Sequence, residues 1–568
     1  MVAASVLVAA STGLRMAADH LDAMRTGAIF TLVSFWLPQG PVFDWHVRNG
    51  LVLVALLLIY PLLAGLPEGL RRSRLGQGLR RETRERQGQA SSSPTQQNRA
   101  HERPGGPARR PEVAARLGDL LHWVLTLLVC TLALSGLLQI FEWPAQAIPA
   151  LTRLHGLVAC ALALTVLMHV AVYLLEGGLP RLGAMLWPRS ARLGRALLAL
   201  GLVASVGLGL NLVEGHLVQT LEVPEVRFST FRLDGVADEP LWAVAPERVV
   251  IARRGGEADA ARAVPMHVQA AHDGQRIFVR VSWPDPVPNL KHLPLVRGDQ
   301  GWYVLHDGYA VSDERTWYED KLALVWSAPE TGLTASMRAA VHLGPTALGV
   351  PSAPHGRGAH ASATLLDLWH WKAVRTDIMD LAEDESIHLP LPCSACDVSY
   401  SGGIRPDPKI SGGYAWNWDY FTPNGGPDGN PNGVTPRRLP LSANLAGTFD
   451  EHANDGLPQT YGSMRWLEST PWRAPLDTYP PGTAIPSWLR LGDYEGDIAH
   501  VAAKGAWRDG VWTVEFSRLL DTGSAFDVRI ATGSLLWLAP FDHAQARHGY
   551  HLRPLRLALG EQRVLTVE

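Results

Sequence analysis

Four histidines, His46, His122, His155 and His169, lie in or at the ends of apolar stretches in the first third of the chain. An ionisable side chain inside a bilayer is costly and marks a functional site by default. His155 and His169 are fourteen residues apart on one stretch. On a helix that spacing falls about 40° short of four turns, so both face one side. Their axial separation is about 21 Å, which places one near each face of a bilayer core about 30 Å thick. One helix can thereby serve two stacked metal centres. The partners follow from depth: His46 opens the second stretch level with His155, and His122 lies early in the third, level with His169. Imidazole suits iron, and iron closed by two imidazoles is fit for electron transfer rather than oxygen binding. The bland alternative is four unrelated polar residues in helix contacts. Matched depths at both faces favour two haems, each between two histidines.

Those histidines need helices to carry them. The apolar runs are 1–18, 47–66, 118–139, 151–175 and 196–213, and about 20 apolar residues span a bilayer core. The first run is short, and a signal peptide competes with a span there; no basic region precedes it, which favours the span. Residues 71–116 hold twelve Arg against four Glu, and 177–195 add four Arg and no acid. With five spans both Arg-rich connections fall on one side, which the positive-inside rule makes cytoplasmic. Residues 67–116 then read as a disordered cytoplasmic linker, and the fifth span delivers the rest of the chain to the periplasm of a bacterial cell. The bundle also repeats itself. Aligning His46 on His155 brings Tyr60 onto His169, and each unit follows a helix with a small-residue step, STGLR (11–15) or LSGLL (134–138).

The layout HW, SG, LH and a further His across 122–169 resembles the cytochrome b561 family of bacterial di-haem subunits, which includes the membrane subunits of formate dehydrogenase and nickel-iron hydrogenase. The resemblance covers about 1–180 and implies two haems b and a quinone site. In that family the first helix supplies a histidine to the cytoplasmic haem. Here the first run has none in that position, since His20 lies at its far end, and His122 takes the role.

Residues 221–568 read as β-rich. Period-two or β-branched runs recur at 266–283, 321–326, 511–520 and 527–541, separated by Gly, Pro and Asp turns. Residues 397–440 are mostly turn chemistry and read as a long excursion from the sheets. The expected architecture is an all-α membrane bundle (1–213) followed by an all-β, antiparallel sandwich (221–568).

The motifs LDGVADEPLW (233–242), YEDKLALVWS (318–327), DLWHWKAVRT (367–376), PDPKISGGY (406–414) and FDHAQARHGYHL (541–552) resemble the haem-binding domain of ethylbenzene dehydrogenase gamma subunits. The resemblance implies one haem between the sandwich edge and its loops. Axial ligands vary in that family, and His342 with His548 is the favoured pair here, with Met337, Lys372 and His551 in reserve. Met337 and Val341 stand where attached forms carry cysteines, so a thioether-linked haem is not expected. Cys393 and Cys396 form a CxxC followed by Asp397 rather than His, which fails the c-type signature. A disulfide is favoured over a metal pair for them. Cys130 and Cys160 read as inert membrane core.

Composition narrows the function. Hydrophobic residues make up 47% of 568 and charged residues 18%, with a formal net charge of −3 and four Cys. A basic nucleic-acid binder, a disordered chain and a disulfide scaffold are excluded. No nucleophile–base constellation, P-loop or dinucleotide fingerprint stands out, so independent catalysis is not expected. The expected function is electron transfer between quinone or quinol and a periplasmic redox partner, through two membrane haems b and one haem in the sandwich. The alternative is a membrane-anchored sandwich that binds or senses a small ligand.

Overall fold

A computed structural model describes residues 2–20, 42–68, 112–186 apart from 142 and 144–146, 201–209 and 212–213. It also describes most of 216–566, the larger exceptions there being 254–262, 330–340, 344–358, 388–403, 420–432 and 449–461. A helical unit comprises Met1–Gly13 and Trp45–Val213, and the β-rich unit comprises Glu214–Glu568 together with Leu14–Asp44.

The helical unit contains α1 (Val2–His20), α2 (Val42–Glu68), α3 (Glu112–Ile140) and α4 (Ile148–Leu186). Residues 201–209 are also helical. Among the described residues, Trp123–Ile140 and Ala150–Val172 are long and apolar enough to cross a membrane, while Ser5–Leu14 and Trp45–Leu58 are shorter apolar segments. Large apolar side chains such as Trp123, Leu127, Leu157 and Leu167 point outward, where water would penalise them and lipid would not. Cys130 and Cys160 are exposed as well, so they face outward from their helices rather than filling a core. Polar pairs join the helices. Asn49 Nδ2 donates to the Ser5 carbonyl at 2.7 Å, linking α2 to α1. Thr152 donates to Gln139 Oε1 at 2.9 Å, linking α4 to α3.

The β-rich unit is built on fifteen strands that matter here. In chain order they are β1 (Thr220–Val223), β2 (Arg248–Arg253), β3 (Ala263–His272), β4 (Arg276–Pro284) and β5 (Lys321–Ser327). Next come β6 (Leu366–Lys372), β7 (Glu383–Ile387), β8 (Ile404–Pro406), β9 (Lys409–Trp416) and β10 (Ser463–Arg465). The last are β11 (Trp488–Gly496), β12 (Ala502–Arg508), β13 (Val511–Leu519), β14 (Leu535–Phe541) and β15 (Leu555–Leu559).

Seven strands form one sheet in the order β1-β15-β14-β5-β6-β7-β8, and five form another in the order β12-β13-β4-β3-β2. The two sheets bury one apolar core between them, with Leu322, Leu324, Trp326, Trp369 and Trp371 from the first and Val279, Val281, Trp283, Trp512 and Phe516 from the second. Trp283, Trp371 and Trp512 pack together, with Trp371 and Trp512 edge to face at 5.1 Å. At roughly 200 Å² of buried surface per indole and about 25 cal/mol per Å², each contributes about 5 kcal/mol of gross burial.

Within these two sheets the described pairings are antiparallel except β1 with β15, and outside them β10 also runs parallel to β11. Only the second half of 527–541 is a strand. The excursion read into 397–440 is also partly sheet, because β9 pairs with β11. Glycines misled the reading there. Gly412 sits at φ 77°, where a Cβ would meet the Asp493 carbonyl oxygen at 1.7 Å, so the residue marks an irregularity inside a strand rather than a turn.

Candidate functional site

The first repeat unit brings a threonine to His46 and the second brings a serine to His155. Thr12 Oγ1 on α1 lies 2.9 Å from His46 Nδ1 on α2, and Ser135 Oγ on α3 lies 2.9 Å from His155 Nδ1 on α4. Each hydroxyl hydrogen is directed to its own helix: Thr12 donates to the Val8 carbonyl at 2.6 Å and Ser135 to the Leu132 carbonyl at 3.2 Å. With each hydroxyl donating to its own helix, its oxygen is left to accept from the ring, and the tautomer that matches has the imidazole hydrogen on Nδ1 and Nε2 as the basic nitrogen.

A glycine follows each hydroxyl residue and makes room for the ring. A Cβ on Gly13 would lie 3.2 Å from His46 Cε1, and one on Gly136 3.5 Å from His155 Cε1. The two imidazoles meet with ring centroids 6.2 Å apart and planes 80° apart. Two nitrogens each about 2 Å from one metal, on rings whose centres sit about 1 Å behind them, would place the centroids about 6 Å apart. The donor set, the tautomers and the spacing fit an iron held between the two rings.

His169 is buried on α4, fourteen residues beyond His155 on the same helix. His122 lies on α3, and its side chain is outside the described residues. The structure thus brings His46 and His155 together and places His169 on the expected helix.

In the sandwich, the alternation of β6 explains the DLWHWK motif. Trp369 and Trp371 enter the core between the sheets. His370 faces the other way, with Nδ1 3.1 Å from Glu385 Oε2 and its ring stacked on Phe541. Lys372 is buried and ion-paired with Glu383, with Glu385 at 3.8 Å. Tyr414 and Tyr494 donate to the same Glu383 carboxylate. Burial foremost pushes the Lys372 ammonium down to about 8. As an iron ligand it would have to leave two carboxylates.

His548 lies beside Phe541 at 5.3 Å and donates from Nδ1 to the Gly549 carbonyl at 2.8 Å, so its Nε2 is the basic nitrogen. Burial lowers its pKa and keeps the ring neutral. Phe541 pairs with Lys321 and Lys321 with Lys372 across β14, β5 and β6, so His548 and Lys372 share one end of that sheet. His342 lies on a short strand, Val341–Leu343, opposite His360, with its side chain outside the described residues. Met337, Cys393 and Cys396 lie outside them entirely.

The reserve assignment of His551 is corrected. Its Nε2 accepts the Leu538 N–H at 2.8 Å and its Nδ1 donates to the Arg553 carbonyl at 2.5 Å, so both nitrogens are committed to backbone. Sequence reasoning missed Thr12 and Ser135 as partners of the histidines. The repeated hydroxyl–glycine step was the available signal.

Residues 222–553 match the family model "Ethylbenzene dehydrogenase", and residues 1–188 match "Prokaryotic cytochrome b561". No curated protein matches the chain. Among solved structures, a carbohydrate binding module family 9 from Caldicellulosiruptor kristjanssonii in complex with cellotriose is 7% identical, covering 61% of this chain and 99% of its own, with a TM-score of 0.22. The same module in complex with glucose is 8% identical, covering 60% and 98%, with a TM-score of 0.21.

Proposed function

The chain belongs to the ethylbenzene dehydrogenase family, with a membrane segment of the haem b-binding cytochrome b561 kind ahead of that domain, and we propose that it carries electrons between the quinone pool and a redox partner across the bilayer. Two haems b among the helices and one haem in the sandwich would form the route. The observation that carries this reading is the His46–His155 pair, two rings each with a hydroxyl 2.9 Å from Nδ1 and with centroids 6.2 Å apart.

A haem b in that place supplies one-electron chemistry at an iron closed by two imidazoles. The chain's own residues do the rest. Thr12 and Ser135 hold the ring hydrogens on Nδ1 and aim the rings, the usual task of groups behind a metal-bound histidine. Gly13 and Gly136 leave room for the rings. His169 with His122 would hold the second haem nearer the opposite face. His548 with His342 would hold the third, and Lys372 is the alternative ligand there. With five spans and the Arg-rich connections on the cytoplasmic side by the positive-inside rule, the sandwich and its redox partner would lie in the periplasm of a bacterial cell.

The test is a pyridine haemochrome count on the purified full chain. Three haems b per chain support the relay. Two support the other reading, a ligand-binding sandwich on a haem-containing anchor, and none removes both.

A further inference from the structure

Four carboxylates from separate segments converge beside β7: Asp367 from β6, Asp384 from β7, Asp407 just after β8, and Asp527 from the loop ahead of β14. They are sealed from water. Asp367 and Asp384 are 0% exposed and Asp407 is 2% exposed, and the Asp527 side chain is 2% exposed. Arg518 is the cation beside them. It pairs with Asp367 and stays 4.0 Å from Asp384 Oδ2, beyond hydrogen-bond reach. His500 engages Asp527 Oδ2 through Nδ1 at 2.8 Å.

Asp407 approaches Asp527 and the Ser386 hydroxyl, and the other oxygens are short of donors. Both oxygens of Asp384, both of Asp407, Oδ1 of Asp367 and Oδ1 of Asp527 lack a hydrogen-bond partner among the described residues. One guanidinium cannot balance four buried carboxylates, and unpaired buried charge is not tolerated. Ligand atoms of Asp384, His500 and Asp527 lie within 4.8 Å of one another, the span of ligands about 2.4 Å from one ion; His500 is taken by Asp527, and the Asp407 carboxyl stands beside both Asp384 and Asp527.

We propose that Asp384, Asp407 and Asp527 bind one calcium ion, with Asp367–Arg518 bracing one side and His500 orienting Asp527. The donors are all carboxylate oxygens, because the His500 ring is turned to Asp527 rather than offered to the ion. That set selects a hard cation over zinc or copper. Magnesium keeps several waters, and so sealed a place leaves little room for them. Calcium accepts irregular carboxylate cages.

The full chain, purified and stripped with a calcium chelator, is dialysed against calcium and counted by elemental analysis, and its unfolding is followed by tryptophan fluorescence with calcium or magnesium present. One calcium per chain and a midpoint several degrees higher in calcium than in magnesium are expected. Asp384→Asn and Asp407→Asn should each weaken calcium binding at least tenfold. Absence of bound calcium, with the same midpoint in calcium and in chelator, overturns the proposal and leaves shared protons to neutralise the cluster. Should the variants fail to fold, the count and the midpoint of the unaltered chain decide alone. Neither readout depends on haem content.

Discussion

His46 and His155 lie edge to face with their ring centroids 6.2 Å apart, although they come from different repeat units. Each ring is anchored within its own unit, His46 by Thr12 and His155 by Ser135. The duplication therefore builds one site from two copies of the same hydroxyl–glycine–histidine device.

If the pair holds a haem, His155→Ala removes that haem and leaves the other, while His169→Ala does the reverse. Low-temperature absorption spectra would show two distinct losses. Because the His46 and His155 planes are 80° apart, the haem lost with His155 should be the one with the more anisotropic low-spin resonance signal. Retention of both haems in either variant contradicts the shared-helix assignment.

Removing the anchors should affect one haem alone. Thr12→Val and Ser135→Ala each take away the acceptor for an Nδ1–H, which makes the ligand less basic and raises the midpoint potential of the same haem. Retention of that haem falls about 10- to 100-fold, the usual cost of losing such a partner. Thr12→Ser and Ser135→Thr restore both. A redox titration in which Thr12→Val and Ser135→Ala shift different haems would separate the two histidines.

Lys372 and His548 make different demands on the sandwich haem. His548→Ala should open a six-coordinate iron and change its spectrum, whereas Lys372→Ala leaves Glu383 and Glu385 without their buried cation and lowers stability by about 3–5 kcal/mol. Absorption spectra and denaturant unfolding of both variants distinguish the roles. A spectral change with Lys372→Ala and none with His548→Ala assigns the ligand to Lys372.

Glu515 gives the sandwich a pH dependence. It accepts the Gly235 N–H and the Trp242 Nε1–H, both at 2.9 Å. Burial first and Glu239 second push its carboxyl up to about 7 from 4.5. Between those values the folded chain holds a proton that the unfolded chain releases. Its contribution is full below about 4.5 and is lost as pH rises through about 7, a change of about 3 kcal/mol. Urea unfolding from pH 4.5 to 8 should show that decline, and Glu515→Gln should flatten it.

The helices and the facing histidines were legible because periodicity and depth are local properties. The β6 motif was legible only as a family signature: its tryptophans enter the core between the sheets, while His370 and Lys372 turn to carboxylates of β7. Glu383-Asp384-Glu385-Ser386 has no apolar residue to mark a core strand, yet all four are buried in one, with Lys372 and His370 of the neighbouring β6 paired to Glu383 and Glu385. Charge compensation across strands has no period in sequence. The glycines of β9 misled for a similar reason, since their close neighbours lie some eighty residues away on β11.

The parallel seam between β1 and β15 bears on how the protein is made. Strand β1 has its sheet neighbour at Leu555–Leu559, so a growing chain cannot complete the seven-stranded sheet until about 330 further residues have been made. Contacts between such distant residues are the slow ones to form. Truncation near the C-terminus should leave the strand nearest the helices with an exposed edge, and nascent chains stalled before 555 would need a chaperone to keep that edge from pairing with another molecule.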